Sequence, residues 1–336
     1  MLNGKWLPAL AGVTIAALSC APPVRAEVSE VNLAKQYGVA YLQLVVMEEQ
    51  KLVEKHAKAL GLDALKATYV SLASSAGMTD GLLSGSIQVA SGGIHAQLIL
   101  WDKTKGEVKG IGGTTASPLK LLTLDPNVKS IKDLTEKHRI ALPAAKLSPQ
   151  AIYLQMAVAT AYGQENFAKL DTLTVSSAHP DSYAAMVSKG TEINCYFATP
   201  PYLDRLLKRP GVYLVASSYE MMGVKHASSS TAYVMAKFAR ENPKAIDAVA
   251  RAFAEATDFM KNNKRAAAEL YLKSTGDKDT VENITAILSD PEYEITYVPY
   301  GVMRNAEFMH KIGLLKTKPQ SVSELFLPNL DLTGAD

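Results

Sequence analysis

Cysteine is nearly missing from this chain, which has only Cys20 and Cys195. Cys20 lies in an apolar N-terminal stretch, so the body of the protein keeps one thiol and has no internal disulfide. Cys195 sits in the strand-like run Ile193–Phe197 and reads as a small buried hydrophobe rather than a nucleophile. An excess of charge is missing too. Lys and Arg number 35 against 33 Asp and Glu, and the first 26 residues carry Lys5 and Arg25 with no acid, leaving 33 of each sign. Such a chain has no global field to attract nucleic acid or an acidic membrane. There is no G-x-x-x-x-G-K-[ST] phosphate loop and no G-x-S-x-G nucleophile elbow. The six histidines are scattered without a metal-ligand spacing, and His138 and His310, each beside a lysine, read as surface residues. No metal, cofactor or catalytic group is expected, so the chain does not read as an enzyme.

Beyond the N-terminus no apolar run is long enough to span a bilayer. Residues 1–26 read as an export signal, with Lys5 as the positive region, Trp6–Leu18 as the apolar stretch and Val24-Arg25-Ala26 as the cleavage site. The mature chain then begins at Glu27 and is periplasmic. A competing cut before Cys20, preceded by Ala17-Leu18-Ser19, would leave a lipid anchor, but its leucine is one place out of position. The remaining residues, about 310, suffice for two cored domains.

What is present is concentrated in YVSLASSAGMTDGLLSGSIQVASGG, Tyr69–Gly93. Tyr69–Leu72 reads as a strand. A short helix follows, capped by Ser74 or Ser75 and stopped at Gly85, and Ile87–Ala90 is a second strand ending at Ser91-Gly92-Gly93. Small-residue loops at the carboxyl ends of adjacent strands mark the ligand edge of an open α/β sheet. Upstream, Val31–Ala34 is a strand and a helical pattern runs from Leu42 to Ala59. Downstream come a helix over Ile94–Leu100, a strand near Val108–Ile111 and a crossing strand Leu119–Leu124. The same order then recurs: Ser130 caps a short helix, Arg139–Pro143 is a strand, and Ser148-Pro149 opens a helix through Tyr162. Leu173–Ser176 and Ile193–Phe197 are strands around a helix Pro180–Ser188 closed by Gly190. Thr199 caps a further helix, Val212–Ala216 is a strand, and Ser228–Ala236 returns to the first sheet. Helices from Asn242-Pro243 onward are expected to pack on the first domain.

The succession of SSAGMTDGLLSGSIQVASGG, WDKT (101–104), VKSIKDL (128–134), RIALPAAKLSPQ and SAHPDSYAAMVSKG resembles the nitrate/sulfonate/taurine-type periplasmic substrate-binding proteins of ABC importers, over about Val31 to Asn262. The resemblance implies an α/β, two-lobed periplasmic-binding-protein type II fold: two Rossmann-like domains joined by two hinge strands, with extra C-terminal helices. Lobe I is expected over 27–121 and 225–336, and lobe II over 122–224. It implies a monomeric receptor that captures a small organic anion, a sulfonate or carboxylate and possibly aromatic, and delivers it to a membrane permease or presents it to a sensor. Receptors for nitrate or for a pyrimidine or flavin precursor are the alternatives. The resemblance extends to fungal thiamine-pyrimidine synthases, but those are cytoplasmic and cysteine-rich, unlike this chain. Where family members often read G-x-I-D, this strand reads Gly85-Ser86-Ile87-Gln88, which speaks against an amine-bearing ligand such as taurine.

If the two sheets face one another, the ligand site draws Gln36, Tyr37, Ser74, Ser75, Gly93 and His95 from the first lobe. Lys146, Ser148, Tyr153, His179 and Thr199 come from the second. Helix N-termini supply unpaired N–H groups for an anion. Lys146 is the expected cation, and Lys146→Ala would weaken binding about tenfold, near 1.4 kcal/mol.

Overall fold

Short apolar runs, each followed by a small-residue turn and a helix, build two five-stranded sheets. The first sheet takes β1 (Glu30–Lys35), β2 (Lys66–Ser71), β3 (Val89–Gly93) and β4 (Val108–Gly113). The second takes β5 (Lys120–Thr123), β6 (Ile140–Leu142), β7 (Thr174–Ser176), β8 (Cys195–Ala198) and β9 (Tyr213–Ser217), before β10 (Ser230–Met235) returns to the first. The strand orders are β2-β1-β3-β10-β4 and β7-β6-β8-β5-β9. In each sheet four strands share one direction, and the strand in the fourth position is antiparallel to both neighbours. That antiparallel strand, β10 in one sheet and β5 in the other, is the one arriving from the opposite lobe. The chain therefore crosses twice, as its patterning implied. This computed structural model describes residues 1, 26–188, 190–328, 330 and 332–335; residues 2–25 of the expected export signal, with Cys20, lie outside the described residues.

Helices α1 (Leu42–Glu49), α2 (Leu52–Ala59), α3 (Ser75–Ser84) and α4 (Ile94–Lys103) follow the early strands. The second lobe holds α5 (Pro149–Tyr162), α6 (His179–Val187), α7 (Tyr202–Leu207) and α8 (Ser218–Met222). After β10 come α9 (Ala236–Glu241), α10 (Pro243–Asn262), α11 (Lys264–Thr275), α12 (Val281–Ile287) and α13 (Val302–Lys311). Ser148 caps α5 with Pro149 at its first position, and Gly85 ends α3 in the left-handed region at φ 78°. One core joins α1, α2, α10, α11 and α12 to the first sheet, with Val45, Ala248, Phe253 and Tyr271 inside it.

Several expectations need correction. The helix from Leu42 to Ala59 is two helices, because Lys51 takes a left-handed conformation at φ 50°. β3 does not stop at Ala90; Ser91–Gly93 continue it, paired with β10 through Ser230↔Gly93. Thr199 caps no helix. The two prolines that follow turn the chain, α7 starts only at Tyr202 behind Pro201, and Thr199 gives the helix its carbonyl, to Leu203 N at 2.9 Å. α6 ends at Val187, and Ser188, already extended, closes it rather than Gly190. α13 does not pack on the first lobe alone: Val302, Ala306 and Met309 share a core with Leu98 of α4 and Ile152 of α5. His138 is fully buried rather than a surface residue, since its Nδ1 accepts the Thr135 N–H at 2.9 Å and closes the turn before β6. Cys195 is buried as expected.

Candidate functional site

The carboxyl ends of β1, β2 and β3 face those of β6, β7 and β8 across a narrow cleft, the place an open α/β sheet offers a ligand. Gln36 and Tyr37 follow β1, Ser75 opens α3, and Gly93 ends β3. From the other side come Ser148, His179 and Thr199. These seven expected residues lie together on the cleft. The lobes touch there. Val39 N donates to Pro200 O at 3.3 Å, and a Cβ added to Gly93 would come within 2.8 Å of Pro149 Cδ. The space left is about 20 Å³, room for a water or two.

Four helices of nine residues or more begin on this cleft, α3 and α4 from one lobe, α5 and α6 from the other. Each N-terminus carries about half a positive charge on its unpaired N–H groups. No Lys, Arg, Asp or Glu lines the space. Its polarity is therefore that of peptide dipoles, hydroxyls, amides and one imidazole.

A hydrogen-bonded row holds the first lobe's wall. Tyr41 Oη donates to Gln36 Oε1 at 3.0 Å and lies 2.9 Å from Ser230 Oγ, while Gln36 Nε2 donates to Ser75 Oγ at 3.5 Å. Burial pushes the Tyr41 hydroxyl up to about 12, so it stays a donor at neutral pH. On the opposite wall His179 Nδ1 lies 2.6 Å from Tyr196 Oη. The Thr199 peptide N–H acts on that same hydroxyl oxygen. The donor in that pair is set by the imidazole tautomer, and Nε2 is the ring nitrogen left outside it. Burial lowers the His179 pKa to about 3, so the ring is neutral.

Four expected residues are not on the cleft. Ser74 sits just behind it, its Oγ accepting from Gly77 N at 3.4 Å to cap α3. His95 and Tyr153 are buried in the shared core, their rings edge to face at 5.3 Å, and His95 Nε2 bonds Asn305 Oδ1 at 2.7 Å. Burial holds His95 down to about 4. Lys146 is exposed, in a left-handed conformation at φ 69°, with its charge acting on Asp171. Tyr41, Gln150, Ser229 and Ser230 line the cleft but were not foreseen. Ser228-Ser229-Ser230 is a run of hydroxyls opening the return strand, a signal the sequence did hold. Tyr41, inside an apolar helical pattern, gave none.

Gln88 lies at the amino end of β3, away from Gly93. It holds its own turn, accepting from Asn32 N at 2.8 Å and donating to Gly85 O at 2.7 Å. Its amide thus carries no weight against an amine-bearing ligand.

Two sheets, two crossings and a cleft lined by helix ends define the fold of a two-lobed periplasmic binding protein. The alkanesulfonate-binding protein SsuA from Xanthomonas axonopodis pv. citri, bound to MOPS, is similar over 89% of this chain and 99% of its own, with a TM-score of 0.68 at 15% identity. The nitrate-binding protein NrtA from Synechocystis PCC 6803 gives 0.67 at 14% identity, over 89% and 85% of the two chains. The aliphatic sulphonate-binding protein SsuA from Escherichia coli gives 0.63 at 17%, over 90% and 92%. The chain belongs to the NMT1-like family, whose sequence pattern matches residues 25–272. No curated protein matches it significantly. Among the described residues no helix is long and apolar enough to cross a membrane, and no group of three or more His, Cys, Asp or Glu is placed to hold a metal ion.

Proposed function

We propose that this chain is an extracytoplasmic solute receptor, exported to the periplasm, that captures a small organic anion between its lobes and passes it to the permease of an ABC importer. The ligand is a sulfonate or carboxylate bound without covalent chemistry. The observation that carries this reading is the convergence of four helix N-termini, two from each lobe, on a cleft without a charged side chain. An anion there is met by N–H and O–H donors from both halves, so its affinity depends on closure. The sulfonate- and nitrate-binding proteins that share the fold support the same ligand class. Because the lobes already touch, entry requires them to part about the two crossing segments, 114–119 and 218–229. Calorimetry against ethanesulfonate, acetate, benzoate and nitrate tests the reading. It expects micromolar binding of an organic anion, about −8 kcal/mol, and silence across the panel would overturn it. Native mass spectrometry of freshly purified protein gives the monomeric mass and any co-purified ligand directly.

A further inference from the structure

Beside the cleft, and sharing Gln36, Tyr37 and Tyr41 with it, lies a chamber of about 450 Å³. Resting on the anion reading of the cleft, we propose that this chamber takes the body of the ligand, and that the ligand is an aromatic monoanion. The volumes separate two roles. At about 20 Å³ the cleft has room for a head group only once the lobes shift, whereas the chamber is of the size of small-molecule sites, ~300–1,000 Å³.

One stacked pair of rings links the two spaces. His179, on the cleft, stacks at 18° and 6.1 Å on Tyr202, which faces the chamber. Tyr69 and Tyr271 complete the chamber from the first lobe. Rings that bury area with little rotamer entropy suit a flat, apolar guest with a polar edge. Both lobes contribute, so closure clamps the body as well as the head.

The charges of the chamber limit the guest to one anionic group. Lys35 Nζ is 2.5 Å from Glu48 and 5.4 Å from the centre of the Tyr69 ring. Asp277 is paired with Arg205. The lining holds one ammonium against two carboxylates, so a second anionic group at the far end would meet Glu48 and Asp277 with no free cation.

Calorimetry on the whole mature protein compares ethanesulfonate, naphthalene-2-sulfonate and naphthalene-2,6-disulfonate, with acetate and 2-naphthoate as the carboxylate arm. The aromatic monoanion is expected to bind at least thirtyfold tighter than its small counterpart, and the disulfonate at least tenfold weaker than the monosulfonate. Ser274→Trp, on the exposed side of α11 where it borders the chamber, should erase the aromatic advantage and leave ethanesulfonate within twofold. Ser71→Trp at the end of β2 is the second obstruction should the first fail to fold. Aromatic and small anions binding equally, or the advantage surviving both obstructions, overturns the proposal while leaving the receptor reading standing. No binding by any of the five overturns both.

Discussion

The cleft and the chamber next to it share three residues yet differ in almost everything else. One is about 20 Å³, uncharged, and walled by helix ends and hydroxyls; the other is about 450 Å³, walled by tyrosines, with its charges already paired. On the proposed reading, the difference separates the discrimination of a head group from the capacity for a body. It also makes closure common to both, because each space takes walls from both lobes. The sharpest way to break the comparison is to hold the lobes apart at the cleft. In Gly93→Ala the new methyl would meet Pro149 Cδ at 2.8 Å and Cγ at 3.1 Å. Overpacking of this kind costs about 1–3 kcal/mol, so anion affinity should fall by tenfold to a hundredfold with an unchanged circular dichroism spectrum. Unaltered affinity by calorimetry would mean that Gly93 and Pro149 do not meet in the bound form.

Arg205 tests whether closure does serve both spaces. It lies on α7 of the second lobe, and its Nε donates to Asp279 Oδ2 at 2.7 Å while its other arm reaches Asp277, both just beyond α11 of the first lobe. Lys208, a little further along the chain, donates to Asn283. The three side chains of the Arg205 pair of contacts are 19%, 9% and 8% exposed, so this is a fork-like, largely enclosed bridge rather than a surface pair. Removing it with Arg205→Ala should shift the lobes toward the open form and weaken binding by about tenfold, near 1.4 kcal/mol. Ethanesulfonate and naphthalene-2-sulfonate should lose affinity by the same factor. A loss confined to the aromatic anion would instead mean that Arg205, 5.6 Å from the Tyr202 ring, only shapes the chamber wall.

Much of this architecture is legible in the amino-acid sequence, and the reason is local. Ser148-Pro149, Gly85 and the Ser91-Gly92-Gly93 run each mark a backbone position by their own chemistry, so helix starts, stops and the ligand edge can be read directly. What the sequence does not reveal depends on partners distant along the chain. Lys51 breaks a helix whose apolar pattern is continuous. His95 is a cleft candidate by its place after Gly93, yet α13, some 210 residues on, supplies the Asn305 that draws it into the core. Tyr202 and Tyr271 come from opposite lobes and become one wall only when the lobes meet. The chamber therefore has no signature in any single segment.

Asp204, also on α7, is a smaller probe of the same lobe contact, away from both spaces. Burial raises its pKa from the ordinary 3.8 to about 6, Asp290 adds to the rise, and its own N–H, Lys208 and Lys120 oppose it. The fold thus favours the protonated form. Its contribution is full below about pH 4 and is lost as pH climbs through 6. A rise of that size corresponds to about 3 kcal/mol at most, so Asp204→Asn should gain about 1–2 kcal/mol at pH 7 and flatten the stability profile between pH 4 and 6. Thermal melts across that range check it. A profile as steep as that of the unaltered protein would show that Asp204 does not titrate there.

The smallest effect is expected at the residue that looks strongest in the sequence. Lys146 precedes a capped helix by two positions, the usual place for a cation that greets an anion. Its left-handed backbone leaves it exposed, however, with its charge acting on Asp171, while Ser148 and Pro149 face the cleft. An exposed ammonium is screened within about 8 Å at physiological salt, and on the proposed reading the four helix ends meet a monoanion without it. Lys146→Ala should therefore change anion affinity less than twofold, and raising the salt from 20 to 500 mM should alter the variant and the parent alike. A tenfold loss on calorimetry, abolished by salt, would put a charge back into a site that otherwise works with dipoles alone.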